Sequence, residues 1–526
     1  MDPLAKDGVF SAQIAENPYY RGSSFSKFVK YHTTQGHCCA PALMAAIRTV
    51  ICIIFSLAAG SPWAQSGQPT PASSAIVAAT EPNSCEGIIH QLKTPLDWLT
   101  WGADLRIRNE YFNNLLTLNP NNPLHEQDYF RFRARLWSSI TPVTNLSLNA
   151  RLASEPREWL MPAGYTPFKG HTGWDWSEGI FDTLNVRWKN PFGLPATLTV
   201  GRQDLVLGEG WLVLEGTPND GSWTVYLDAA RLTYELPDQH TTIELIGILQ
   251  DARDDAWLPT INNQGRCPSD QNEKGAILDI ANKSLPAANL EGYFIYKHDD
   301  RLSGVVGRYG DNADIYTLGG RVSGLVLDHW KYCAESAYQF GNKQDLNIKF
   351  PSASTEYRTL NAFGFNSKLA YLLKDKANNQ LNFSFEFLSG DNPNSSGDEM
   401  FDVLWGRYPR WGDVGLYSFA AETRVGQMAN LYRFGPGWSC TPMKNLDLSA
   451  NYFALFSPQE VPTRQASATL FSNDGNFRGH FVQALLKYKF SSHLCGHLDT
   501  ECLFPGDYYA YHKPMPFLRA EVTMTF

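Results

Sequence analysis

Phe517-Leu518-Arg519-Ala520-Glu521-Val522-Thr523-Met524-Thr525-Phe526 ends the chain, and its reading decides the fold. Side chains alternate across a strand with period two. Leu518, Ala520, Val522, Met524 and Phe526 therefore share one face, and Arg519, Glu521, Thr523 and Thr525 share the other. One face suits hydrocarbon and the other suits water. A soluble sandwich uses the same alternation to bury one face in a core, so the decapeptide alone leaves both folds open.

The same alternation recurs upstream in Ala103–Arg108, Phe130–Leu136, Leu146–Leu152, Leu184–Trp188, Leu381–Phe387 and Leu446–Tyr452. Clusters of Gly, Pro, Asn and Asp separate such segments from about residue 97 onward, the pattern of many antiparallel strands. No repeat of fixed period is present, so the chain is not a solenoid. Short turns such as Lys374–Asn379 alternate with longer polar loops, read at 251–288 and 389–415. Short turns on one side and long loops on the other are the asymmetry of a membrane barrel. Aromatic residues make up 13% of the chain, which suits interfacial girdles. Beyond position 60 no apolar run reaches the roughly 18 residues of a spanning helix. The mean hydropathy of −0.31 is compatible with strands of which only alternate residues meet lipid. The expectation is an all-β chain whose residues 97–526 form a single large antiparallel transmembrane β-barrel. A strand that stops flush with the chain on an aromatic residue resembles the closing strand of bacterial outer-membrane barrels.

Residues 1–43 have no periodicity. Met44–Arg48 followed by Thr49–Ala59 gives a positive start, a short apolar core and small residues beyond it, which is the layout of an export signal. Residues 1–64 are accordingly read as an N-terminal extension and signal peptide with the true start at Met44, and 65–96 as a flexible lead-in. The chain has nine cysteines. Cys495 and Cys502 bracket a short polar stretch and are read as closing a small loop by a disulfide. His497, Asp499 and Glu501 between them are too few for a convincing metal site.

A formal net charge of −9 argues against nucleic acid as a partner. The faces carry more information than the sum. If the apolar face of each strand meets lipid, the opposite face lines a lumen and carries Arg106, Arg108, Arg131, Arg133, Arg135, Arg151, Arg187, Arg231, Arg321, Lys331, Lys368, Lys487, Lys489 and Arg519. The acids on those faces are fewer: Asp104, Glu110, Glu235, Glu335, Glu386, Asp447 and Glu521. A basic wall of this kind would concentrate anions, and guanidinium groups bind carboxylates bidentately. The competing reading is that each arginine pairs with a carboxylate across the strands and stiffens the wall. Positions near strand ends could instead meet lipopolysaccharide phosphates. The chain has no Gly-x-Ser-x-Gly elbow, no His-Glu-x-x-His helix and no phosphate-binding glycine loop. Asp254-Asp255 and Asp299-Asp300 read as solvated loop turns. No enzyme and no cofactor are expected.

Three blocks resemble the alginate export family of outer-membrane porins. Thr199–Leu205 with Gly208–Trp211 and Tyr226–Leu232 is similar to that family's Gly-Arg-Gln block and the strand after it. Ser389–Pro393 with Phe401–Leu404 resembles a second block, and Leu503–Tyr509 the penultimate segment. The resemblance implies an 18-stranded barrel, a constricted electropositive lumen, and passage of alginate or a related polyuronate to the cell exterior. It adds Arg202 to the pore-lining anion path, whereas Asp204 stands where the alginate exporter itself is basic. The implied partners are an anionic polysaccharide, outer-membrane lipid and lipopolysaccharide, and a periplasmic synthesis or export complex. The alternative is a general or anion-selective diffusion porin for small solutes.

Overall fold

The terminal alternating segment pairs antiparallel with the first one, and this pairing closes the sheet. The structure, a computed structural model, describes residues 91–526 apart from 115–117, 122–124, 162–173, 176–178, 216–225, 254–255, 262–268, 270, 303–311, 345–356, 407–411, 413–428 and 461–470. The segments read as export signal and most of the lead-in, and the pair Asp254-Asp255, lie outside the described residues.

The strands in chain order are β1 (Leu99–Phe112), β2 (Gln127–Val143), β3 (Leu146–Ser154), β4 (Arg157–Met161), β5 (Trp174–Asp175), β6 (Gly179–Lys189), β7 (Ala196–Gln203), β8 (Leu205–Val206), β9 (Leu214–Glu215), β10 (Leu227–Leu236) and β11 (Thr241–Gln250). They continue with β12 (Gln271–Leu285), β13 (Ala288–Arg301), β14 (Asn312–Val326), β15 (Trp330–Gln344), β16 (Arg358–Leu372), β17 (Gln380–Leu388), β18 (Leu431–Met443), β19 (Leu446–Phe456), β20 (Phe477–Lys489), β21 (Leu494–Pro505) and β22 (Met515–Thr525). Every neighbouring pair is antiparallel. With β4 and β5 as short additions and β8 and β9 forming a separate small sheet, the wall is a closed barrel of 18 strands.

Alternation sorts the wall into two faces. Leu105, Ile107, Leu136, Val186, Leu245, Leu278, Leu318, Phe383 and Leu518 are all exposed and point outward. Aromatic residues bound this apolar band. Trp101 against Phe526, Trp188 against Phe192 and Trp330 against Tyr371 lie at the rim of the short turns, and Tyr296, Tyr316 and Phe340 stack near the other rim. From Trp330 to Phe340 along β15 is about 34 Å of strand, which a strand tilt near 40° reduces to about 25 Å, the height of a lipid-facing band. No helix among the described residues is long and apolar enough to cross a membrane; the strands cross it.

Leu99 and Thr525 both lie at the rim where β2–β3, β12–β13 and β18–β19 are joined by two-residue turns. That rim is the periplasmic one, and the long connections, 389–430 above all, stand at the other.

Three expectations are corrected. The loop read at 251–288 contains β12, whose inward Ile277 interrupts the alternation and hides the strand. Asp299-Asp300 is not a loop turn but part of β13, with Asp299 buried inward and Asp300 outward. Cys495 and Cys502 are free thiols on one strand, on opposite faces and about 23 Å apart along it, so they close no loop. The lead-in also ends earlier than 96. Leu92 O accepts a hydrogen bond from Trp101 Nε1 at 2.7 Å, and Lys93 Nζ lies 5.5 Å from the Phe526 ring, both against the closing seam.

Ile280, outward and near mid-height on β12, tests the lipid face. Ile280→Arg places a guanidinium in hydrocarbon and should cost about 2–4 kcal/mol, read as a lower urea midpoint for the barrel refolded in vesicles. An unchanged midpoint would show that this face does not meet lipid.

Candidate functional site

The inner wall begins with the arginines of β1 and β2, which are direct cross-strand neighbours: Arg106 with Arg133 and Arg108 with Arg131. Like charges in this register repel unless carboxylates interleave, and here they do. Arg108 Nη2 lies 2.6 Å from Glu521, Arg519 2.7 Å from Glu110, Arg131 2.6 Å from Glu155, and Arg135 2.7 Å from Asp104. Arg106 reaches Glu155 at 3.4 Å, and Arg133 lies 3.6 Å from Asp104. Arg106, Arg108 and Arg131 are fully buried. Glu155 lies beyond the end of β3. Burial would raise its carboxyl, but Arg131, Arg133 and Arg157 prevail and hold it below the usual range.

Further round the wall, Arg151 binds Asp182 at 2.7 Å and Asp204 at 3.0 Å. Arg231 binds Glu244 at 2.6 Å, and Arg321 binds Glu291. Of the ten arginines placed on an anion path, nine face inward, and eight of those nine, all but Arg187, stand in ion pairs. Arg202 faces the other way. It shares a face of β7 with the exposed Val200 and lies directly opposite Asp228, which shares a face of β10 with the exposed Ala230. There it pairs with Asp228 at 3.0 Å and lies under Tyr226 and Trp257. It is therefore not pore-lining.

The lumen itself holds two inward-folded segments. β8 and β9 pair as a small hairpin spanning 205–215, and Val213 bridges in parallel to Trp405 of the 389–430 connection. Leu214 N donates to Trp405 O at 3.1 Å, and Trp405 N to Leu212 O at 3.0 Å. Indole groups pin this assembly to the wall. Trp405 Nε1 donates to Glu273 at 3.0 Å, and Trp211 Nε1 to Glu386 at 3.0 Å. Gln339 exchanges two hydrogen bonds with the Asp402 backbone at 2.7 and 2.8 Å. The wall provides room for the rings. A Cβ at Gly275 would lie 2.2 Å from Trp405, and one at Gly364 2.7 Å from Phe401 and 2.9 Å from Trp211.

This plug accounts for where the sequence blocks fall. Gly208–Trp211 and Phe401–Leu404 are its two halves. Tyr508, in the third block, meets the end of the same connection, its hydroxyl accepting a hydrogen bond from Asn430 Nδ2 at 3.0 Å. The profile of the family described as Alginate export matches residues 97–516, most of the chain and nearly all of the barrel. The chain belongs to the alginate export family. No curated protein matches the sequence. Among solved structures the chain is similar to OccK5 (OpdH) of Pseudomonas aeruginosa, with 12% identity over 81% of this chain and 98% of that one and a TM-score of 0.48. It is also similar to OccK8 (OprE) of the same organism, with 13% identity, the same coverage and a TM-score of 0.48, and to its OprD, with 10% identity over 81% and 95% and a TM-score of 0.45.

This member of the alginate export family is thus a channel of the bacterial outer membrane and not an enzyme. Its solvent-accessible inward cations are not the expected arginine ladder. Among the described residues they include Arg187, Lys189, Lys283, Lys331, Lys368, Lys487 and Lys489, all exposed and toward the periplasmic rim, where Glu235 and Asp447 are accessible acids; Arg301 is exposed on the inward face at the other rim. The inner wall also carries Glu244, Glu273, Asp279, Glu291, Asp299, Asp499 and Glu501, which the sequence reading omitted. Glu273 and Asp279 were lost with β12. The others stand in strands whose alternation is clear enough to have found them.

Two predictions distinguish wall from plug. Arg131→Gln leaves Glu155 buried with a partner removed and should destabilise the barrel by about 3–5 kcal/mol, seen as a lower urea midpoint, while Lys368→Gln at the accessible rim should leave it unchanged. Trp405→Ala and Gly275→Leu both undo one anchor of the plug. Each should raise single-channel conductance in planar bilayers, and conductance equal to the parent in both would mean that the segment does not limit the pore.

Proposed function

We propose that the barrel passes an anionic polysaccharide, alginate or a related polyuronate, from the periplasm to the cell exterior, with a periplasmic synthesis or export complex delivering it. One observation carries the reading. Most solvent-accessible cations of the described inner wall, Arg301 aside, gather at the periplasmic rim, the side from which an exported polymer enters. Exposed lysines there are weak, hydrated contacts for carboxylates. Weak and repeated contacts suit a channel, because a tight single site would stop transport.

Membership of the alginate export family supports this cargo. The plug favours a second reading, a diffusion porin for small anionic solutes, because indole anchors and wall glycines hold it firmly across the lumen. The two readings part on what blocks the pore.

In planar bilayers, alginate oligomers added to the periplasmic side should block the current in a concentration-dependent way. The combined variant Arg187→Gln, Lys331→Gln, Lys487→Gln and Lys489→Gln should raise the blocking concentration by on the order of tenfold, the product of several weak pairs. A pore indifferent to the oligomers at any concentration supports the small-solute reading.

A further inference from the structure

The wall opposite the β1–β2 arginines is acidic. In the order of the ring, β11–β15 lie about half-way round from β1 and β2. At mid-height there, Glu244 of β11 stands directly across from Asp279 of β12, and Arg321 of β14 stands between Glu291 of β13 and Glu335 of β15. Four carboxylates thus share one patch with two guanidinium groups, Arg231 and Arg321.

The contacts within the patch are specific and incomplete. Glu244 accepts from Arg231 at 2.6 Å and from Thr233 at 3.1 Å, Glu291 accepts from Arg321, and Glu335 accepts from the Tyr293 hydroxyl at 3.0 Å. Asp279, only 6% exposed, faces inward between Glu244 and Tyr293, and its Oδ1 has no hydrogen-bond partner. A buried carboxylate oxygen left unpaired beside three other carboxylates is costly unless a proton or another cation comes to it. The plug seals one side of the patch, since a Cβ at Gly208 would lie 3.0 Å from Arg321 and 3.1 Å from Glu291. On the other side Arg231 is 29% exposed, so the patch opens toward the lumen.

We propose that Asp279, with Glu244, Glu291 and Glu335, forms a transient site for a small inorganic cation, potassium or sodium. The site gives the channel a cation lane on the wall facing the β1–β2 arginines. A polyanion crosses a membrane with counterions, and a wall of one sign alone would exclude them. Opposed patches let both pass. The proposal rests on the chain being a channel and not on the identity of its polymer.

The test is the reversal potential of the refolded full-length protein under a potassium chloride gradient, with no polymer present. Asp279→Asn should raise the chloride-to-potassium permeability ratio by about twofold or more, as expected for removing one fixed charge from a narrow low-dielectric lumen. Glu335→Gln should move it the same way, and it carries the test alone if Asp279→Asn does not refold. Arg231→Gln should move it in the opposite direction. A ratio unmoved in refolded Asp279→Asn or Glu335→Gln overturns the cation lane and leaves block by alginate oligomers, measured at the periplasmic rim, unaffected.

Discussion

Hydrocarbon offers no hydrogen bonds, so a sheet that spans it must pair every backbone N–H and C=O within itself. The consequence is the seam between β1 and β22. Outside, Leu105 meets Met524 and Ile107 meets Val522, which gives lipid a continuous apolar surface across the join. Inside, Arg108 stands opposite Glu521 and Glu110 opposite Arg519, two pairs of reversed polarity in adjacent inward positions. A slip of the register by two residues would set Arg108 against Arg519 or Glu110 against Glu521. The seam therefore selects its register by repulsion as well as attraction. The chain places its last residue at this seam, where Phe526 exchanges backbone hydrogen bonds with Ala103.

Closure forces the polar faces of all the wall strands toward one another, and the plug then covers most of them. Charges that would be solvated in an open pore become buried here, and a buried charge persists only when paired. This explains why the arginines of β1, β2 and β3 stand in ion pairs. Their carboxylate partners come from both neighbours in the wall and from the connection after β3, so the array ties distant parts of the chain together. The plug obeys the same rule. Glu386 pairs with Arg433 and Glu273 with Lys297, and each also accepts an indole N–H from a segment that the wall glycines admit.

The fold was legible because its determinant is periodic. Alternation with period two is a property of each strand alone and needs no knowledge of its neighbours, so β1, β2, β3, β17, β19 and β22 could be read directly. Where an inward position is apolar, as at Ile277 beneath the plug, the period breaks and the strand disappears into a polar loop. The function of an inward charge is not periodic. Whether Arg131 binds solute or Glu155 depends on a residue outside β2, and whether Arg202 lines the pore depends on parity, which a resemblance carried over block by block does not preserve. The family blocks were informative for a different reason. Two of their segments, Gly208–Trp211 and Phe401–Leu404, mark loops that fold into the lumen, and Gly275 and Gly364, which make room for them, carry no signal without their partners.

The same parity divides the inner charges into two functional classes by height. Near the plug, the acidic patch around Asp279 apart, guanidinium and carboxylate groups neutralise one another at hydrogen-bonding distance, and little of their field reaches the axis. At the periplasmic rim the cations are lysines and one arginine with water around them, and their field extends over about a Debye length. On the proposed reading, a polyelectrolyte approaching from the periplasm would meet its attraction before it meets the constriction. Beyond that point the wall offers it mostly compensated charge. On the proposed reading such an order would favour capture without retention, because each step inward exchanges an exposed cation for a buried, charge-compensated one, and a polymer would be held most strongly where it is still free to be pushed from behind.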